Sequence, residues 1–276
     1  MEKIVYFFIS GCQRSGTTML RLVLESHPAI QCFDETMGYD LLIREMKGES
    51  IDFPAKEGAD LLGFKIPRFA EQLTRPVLND PDYRTFPSFY KGQKVVHIFR
   101  DVLDVIGSMM KLKAEGGISW IDKYGRTILL SMIAGQDAGS VYKKKYEDIE
   151  RLGLPAHLVG ALYWEVKNQG FFDLLEHNKP LYPIRYETLV ASPREELLKL
   201  CQFLEVEWSD ALLNHPAYPH AELDENGRAI GETDPRRGID TRSVGGHRSL
   251  LTDKQICEVR HFVEDLSCKI DSALKP

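Results

Sequence analysis

Gly11-Cys12-Gln13-Arg14-Ser15-Gly16-Thr17-Thr18 is the stretch on which the reading of this chain turns. Ile4-Val5-Tyr6-Phe7-Phe8-Ile9 precedes it, a continuous run of β-branched and aromatic residues of the kind buried on both faces of a parallel sheet. Met19, Leu20, Leu22, Val23 and Leu24 follow at helical spacing until Pro28 stops the pattern. The order is therefore strand, glycine loop, helix. Glycines let such a loop turn tightly and aim successive N–H groups inward, toward the positive end of the following helix, so the hollow suits an anion. The spacing of Gly11 and Gly16 matches a P-loop, but Thr17 stands where an ATP-binding loop places its lysine. Arg14 supplies the positive charge instead. An ordinary glycine turn would need neither an arginine nor consecutive hydroxyls.

Composition sets the outer bounds. The 276 residues suffice for one large α/β domain, and 43% hydrophobic with 28% charged residues is a globular composition. We expect a single domain over 1–276. A formal net charge of -6 argues against nonspecific nucleic-acid binding, although a local basic pocket is compatible with an acidic whole. The five cysteines form no C-x-x-C pair and no zinc spacing, which fits a reducing compartment. No run approaches the roughly 18 apolar residues of a membrane span, and the expected location is the cytoplasm.

Outward from the loop, Ala29-Ile30-Gln31-Cys32-Phe33 reads as a second strand, with Asp34-Glu35-Thr36 at its end. In an open α/β sheet the carboxyl ends of the strands converge on one crevice, so Glu35 is a candidate to face the bound anion, while Asp34 reads as the cap of a helix over Met37 to Met46. Leu61 to Pro67 predicts a third strand that carries Lys65 near its end. Pro76, Pro81 and Pro87 make 74–89 a surface excursion. Lys94 to Phe99 predicts a strand ended by Arg100-Asp101, then a helix from Val102 to Leu112 with Asp101 as N-cap. Arg100 emerges beside that helix start with Ser108 two turns along, a candidate second anion site. Residues 118–178 read as mainly helical, with aromatic residues for a core or an acceptor pocket. Leu181 to Tyr186 predicts a further strand, and Pro193 to Leu204 a helix. Residues 210–250 lose periodicity and read as a loop or lid, and Asp253 to Leu274 as a terminal helix.

These segments together resemble the sulfotransferases that use 3'-phosphoadenosine 5'-phosphosulfate (PAPS), over Ile4 to about Val206 and more weakly at Ser243 to Thr252. Gly11 to Thr18 is similar to that family's 5'-phosphosulfate loop, Arg100 with Ser108 to its 3'-phosphate site, and Arg185-Tyr186-Glu187-Thr188-Leu189-Val190 to its segment after the last core strand. Arg14 to Pro28 and Cys32-Phe33-Asp34-Glu35-Thr36 look most like tyrosylprotein sulfotransferases and their bacterial relatives. Gly245-Gly246-His247-Arg248 departs from the family, which often shows a glycine or basic residue followed by tryptophan there.

The resemblance implies a P-loop-type three-layer fold with a central, mainly parallel sheet flanked by helices. It implies PAPS as cosubstrate and PAP as product, no metal, and in-line transfer of a sulfuryl group to a hydroxyl, alcohol or phenol, on a small molecule or peptide. By the same resemblance Glu35 is the general base, and Lys65 and Arg14 stabilise charge. Arg14, Ser15, Gly16, Thr17, Thr18, Arg100, Ser108 and Tyr186 bind the cosubstrate. A P-loop small-molecule kinase and a noncatalytic nucleotide-binding module are the alternatives. Neither the acceptor nor the oligomeric state follows from the residues.

Overall fold

A computed structural model of the chain describes residues 5–49, 56–67, 93–112, 117–134, 139–176, 180–220 and 233–275. The excursion expected at 74–89 lies outside the described residues. Strands β1 (Val5–Gly11), β2 (Ile30–Phe33), β3 (Leu61–Lys65), β4 (Lys94–Phe99) and β5 (Leu181–Arg185) form one sheet in the order β2-β3-β1-β4-β5. Every pairing is parallel, with Phe8 opposite Phe64 on one side and Val95 on the other. Strands of this kind are apolar on both faces because helices cover both, and Phe7, Phe8 and Ile9 are fully buried. The central strand β1 has its neighbours on opposite sides, which opens a crevice at the carboxyl ends of the strands.

The helices fall into two layers. α1 (Thr17–Glu25), α7 (Tyr186–Ala191) and α8 (Pro193–Leu204) bury Leu20, Val23, Leu189 and Leu200 with the sheet residues Ile9 and Ile98 in one core cluster. On the other face α3 (Val102–Lys111), α6 (Ala156–Leu175), α9 (Asp253–Phe262) and α10 (Glu264–Ala273) share a second cluster with Val105, Ile106, Leu162 and Val259. Between α3 and α6 lie a π-helical turn (Ile121–Gly125), α4 (Arg126–Ala134) and α5 (Val141–Arg151), so the region expected to be mainly helical is mainly helical among its described residues.

Local signals account for most boundaries. α2 (Glu35–Met46) starts where Asp34 Oδ1 accepts from the Met37 N–H at 2.8 Å, and α3 starts where Asp101 Oδ1 accepts from Leu103 at 2.9 Å and Asp104 at 3.2 Å. Three expectations need correction. The terminal helix is not continuous: Val263 leaves helical geometry at φ -109°, ψ 12° and separates α9 from α10, and Val259 on one side of the break and Leu266 and Ile270 on the other pack into the same core cluster. Tyr186 does not end a strand but is the first residue of α7, where its side chain turns toward the glycine loop. Nor is 210–250 loop alone, since it holds 3₁₀ helices at Asp210–Ala217 and Gly246–Ser249. All five cysteines are free. No helix among the described residues is long and apolar enough to cross a membrane.

Candidate active site

The glycine loop closes on itself through the Ser15 N–H to the Cys12 carbonyl at 3.0 Å. Gly16 then enters α1 at φ 96°, and a Cβ there would lie 2.6 Å from the Tyr186 ring. Only glycine lets that ring cover the loop. Arg14 is also left-handed, at φ 70°, a conformation that a side chain disfavours and that functional sites retain. This twist directs Arg14 Nε to Ser108 Oγ at 3.0 Å and its carbonyl to Arg100 Nη1 at 2.8 Å. The two stretches read from the sequence as anion sites therefore lie side by side.

Arg100 is buried and held from four sides. Its Nη2 donates to the Ser243 carbonyl at 2.6 Å, its guanidinium lies 4.5 Å from the Tyr186 ring centre, and its own carbonyl accepts from Trp164 Nε1 at 3.0 Å. Next to it the Asp101 N–H donates to Glu187 Oε1 at 3.0 Å; burial pushes the Glu187 carboxyl up, against that hydrogen bond and the charge of Arg100. Arg100 Nε and Ser15 Oγ are buried polar atoms without a hydrogen-bond partner. Such orphans are rare in native interiors, and these two belong to the glycine loop and to the arginine that donates to it.

Arg14, Gly16, Thr17, Thr18, Arg100, Ser108 and Tyr186 all line one cavity of about 610 Å³. Ser15 is fully buried and does not line it. Lys65 is also absent from the wall, but its Nζ donates to Thr18 Oγ1 at 3.2 Å, so it reaches the cavity through one hydroxyl. Glu35, separated from β2 by Asp34 alone, is half-buried at the first position of α2 and does not line the cavity. The carboxyl ends of β2 and β3 are adjacent, so Glu35 and Lys65 lie on the same edge of the sheet.

The far wall was not assigned residue by residue from the sequence. Arg237, Asp240, Arg242 and Ser243 line it, with Asp104, His215 and Leu250. Asp240 accepts from Arg237 and from Arg242 Nε at 2.8 Å, and these hydrogen bonds hold its carboxyl far below the usual carboxylate range. The density of arginines between 236 and 242 was the available signal; their register on the cavity was not. Asp101, Asp104 and His247 bring three ligand-type atoms within 4.8 Å of one another, but both Asp104 oxygens already accept hydrogen bonds from residues 245 and 247.

With this geometry in view, comparison with known proteins settles the class. The sulfotransferase domain family matches residues 6–266, and the chain belongs to that family. Among its relatives are a candidate protein-tyrosine sulfotransferase of Caenorhabditis briggsae, 23% identical over 254 residues (86% of this chain, 78% of the relative), and protein-tyrosine sulfotransferase 1 of Danio rerio, 23% identical over 209 residues. The chain spans 55% of the Danio relative and 40% of the Drosophila melanogaster one. Two solved structures share the fold. The sulfotransferase domain from the curacin biosynthetic pathway has a TM-score of 0.58 at 18% identity, covering 97% of this chain and 99% of that one. Mouse sulfotransferase SULT7A1 complexed with PAP has 0.52 at 17%, covering 98% and 89%. The chain is therefore an enzyme of the PAPS-dependent sulfotransferase family, related to the protein-tyrosine sulfotransferases, with the family's P-loop-type fold.

Proposed function

We propose that this enzyme binds PAPS in the cavity between β1 and α3 and transfers its sulfuryl group to a hydroxyl, with Glu35 as general base. One observation carries the reading: Arg14, Thr17 and Thr18 from the glycine loop and Arg100 and Ser108 from far along the chain line a single cavity, a set of cationic and hydroxyl groups suited to an anion. PAPS supplies two separated anionic groups. The loop N–H groups with Thr17 and Thr18 would hold the phosphosulfate, while Arg100 and Ser108 would hold the 3'-phosphate.

In this reading the chain's own groups divide the work. Lys65, steered by Thr18, and Arg14 stabilise negative charge as the phosphate leaves; one preorganised donor of this kind is commonly worth about 3–4 kcal/mol. Glu35 takes the acceptor proton from the same edge of the sheet, a role worth about 10²–10⁴ in rate. No metal is assigned a step. The tyrosine sulfotransferase relatives support a phenolic acceptor on a peptide or protein, beside alcohols and phenols of small molecules. The family assignment favours sulfuryl transfer over the kinase alternative, and turnover separates it from a noncatalytic module.

Incubation with labelled PAPS and a panel of tyrosine peptides, phenols and alcohols tests this directly: transfer of label to an acceptor oxygen is expected, and label confined to hydrolysis or unbound PAPS would refute it. Glu35→Gln is expected to retain PAP binding while turnover falls about 10²-fold or more. Unchanged turnover would remove Glu35 from its role. In a thermal shift PAP should stabilise the protein and ATP with Mg²⁺ should not.

A further inference from the structure

The departure at Gly245-Gly246-His247-Arg248 lies where the far wall of the cavity meets α3. Asp104, in the first turn of α3, is buried, yet it does not cap its own helix, since Asp101 does that. Its carboxylate instead faces the segment 243–250. Asp104 Oδ2 accepts from the Gly245 N–H at 2.7 Å, and Oδ1 accepts from the His247 N–H at 3.2 Å and from His247 Nδ1 at 2.7 Å. An ionised carboxylate only accepts, so Nδ1 carries the hydrogen.

The contact reaches the backbone. A Cβ on Gly107, one turn along α3, would lie 3.1 Å from His247 Cα, so the segment is seated flush on the helix. From this seat Ser243 presents its carbonyl to Arg100, and Ser243, Gly246 and Leu250 complete the cavity wall.

We propose that Asp104 and His247 form a latch that straps 243–250 across the donor cavity and so sets how long the nucleotide resides there. The latch consists of positioning residues: neither group is needed at the reacting atoms, and both act through Ser243 and Arg100. The residence-time half of the proposal rests on the donor reading above. The seat on α3 stands on geometry alone.

Two measurements keep these apart. In nucleotide-free protein, hydrogen exchange of the Gly245 and His247 amides is expected to be slow, and Asp104→Asn or His247→Ala should speed it about tenfold or more, since a buried charge-assisted contact is lost. Gly107→Ala should do the same by pushing on His247 without removing a charge, which keeps the test usable if Asp104→Asn folds poorly. In the second measurement, stopped-flow release of PAP should accelerate about tenfold in the same variants. Acceptor KM should be unchanged. A latch of purely structural importance would lower the melting temperature and leave PAP release alone. Equal exchange in all variants would overturn the latch. Fast exchange with unaltered PAP release would overturn its link to residence time, and absence of PAP binding to the unmodified enzyme would overturn the donor reading instead.

Discussion

Arg14 holds a backbone angle that disfavours side chains by about 1–2 kcal/mol, and it does so to bring its guanidinium to Ser108 and its carbonyl to Arg100. Strain and function are therefore separable at this residue. Arg14→Gly should leave thermal stability unchanged or raise it slightly, because glycine relieves the φ, yet weaken PAP binding by at least tenfold through the lost guanidinium. Arg14→Ala should lose binding equally with no gain in stability; melting curves with and without PAP read both effects. The charge of Arg14 was legible because a glycine loop without lysine calls for another cation. Its bond to Ser108 was not, since the two positions are 94 residues apart and neither helical nor strand period relates them.

At the scale of elements, α6 shows what periodicity hides. Its aromatic residues read equally well as core or as pocket wall, and the structure gives them a further task. Tyr163 Oη donates to Gln13 Oε1 at 2.7 Å, Trp164 Nε1 to the Arg100 carbonyl at 3.0 Å, and Lys167 Nζ to the Pro67 carbonyl at 3.2 Å. Little more than one turn of a single helix thus ties down the chain just past the ends of β1, β4 and β3. Tyr163→Phe keeps the packing and removes one tie, and should cost about 1 kcal/mol in denaturant unfolding. The start of α3 is simpler. Asp101→Ala removes an N-cap that the sequence already announced, and is expected to cost about 1 kcal/mol, a fall of roughly 2–4 °C in melting temperature for a chain of this size. Caps and strand runs are local and could be read; the break at Val263 and the seat of 243–250 on α3 are tertiary, set by packing that no window of sequence contains.

At the scale of the whole molecule, acid stability follows from groups on both faces of the sheet. Burial pushes His97 down to about 4, with an Asn168 hydrogen bond opposing and Lys167 adding to the effect, and burial likewise pushes His215 to about 4. In the unfolded chain each would titrate near 6.5. Between those values the unfolded state binds more protons, so stability should fall as pH falls from about 6.5 to 4. Asp104 acts lower. Burial alone would raise it, but His247, the 245 and 247 N–H groups and Arg100 more than offset this and hold it below its ordinary value, so its contribution persists above about pH 4 and disappears in stronger acid. A melting temperature flat between pH 6.5 and 4.5 would contradict the histidine assignment. Cover on both sheet faces was legible from the first strand, because a strand apolar on both faces needs it there; the P-loop-type three-layer fold was implied by the resemblance of several separated segments to one family.

The position of β1 has one more consequence, for the order of events during synthesis. The central strand is made first, but its partners are Leu61 to Lys65 on one side and Lys94 to Ile98 on the other. Until the chain has grown past residue 65 the glycine loop hangs from an unpaired apolar strand, and until it has grown past residue 98 from a strand with one edge open. Pairing so distant in sequence folds slowly and leaves edges exposed while it waits. Nascent chains stalled before β4 should therefore be held by chaperones and sensitive to protease at the loop, and chains stalled beyond β5 should be neither.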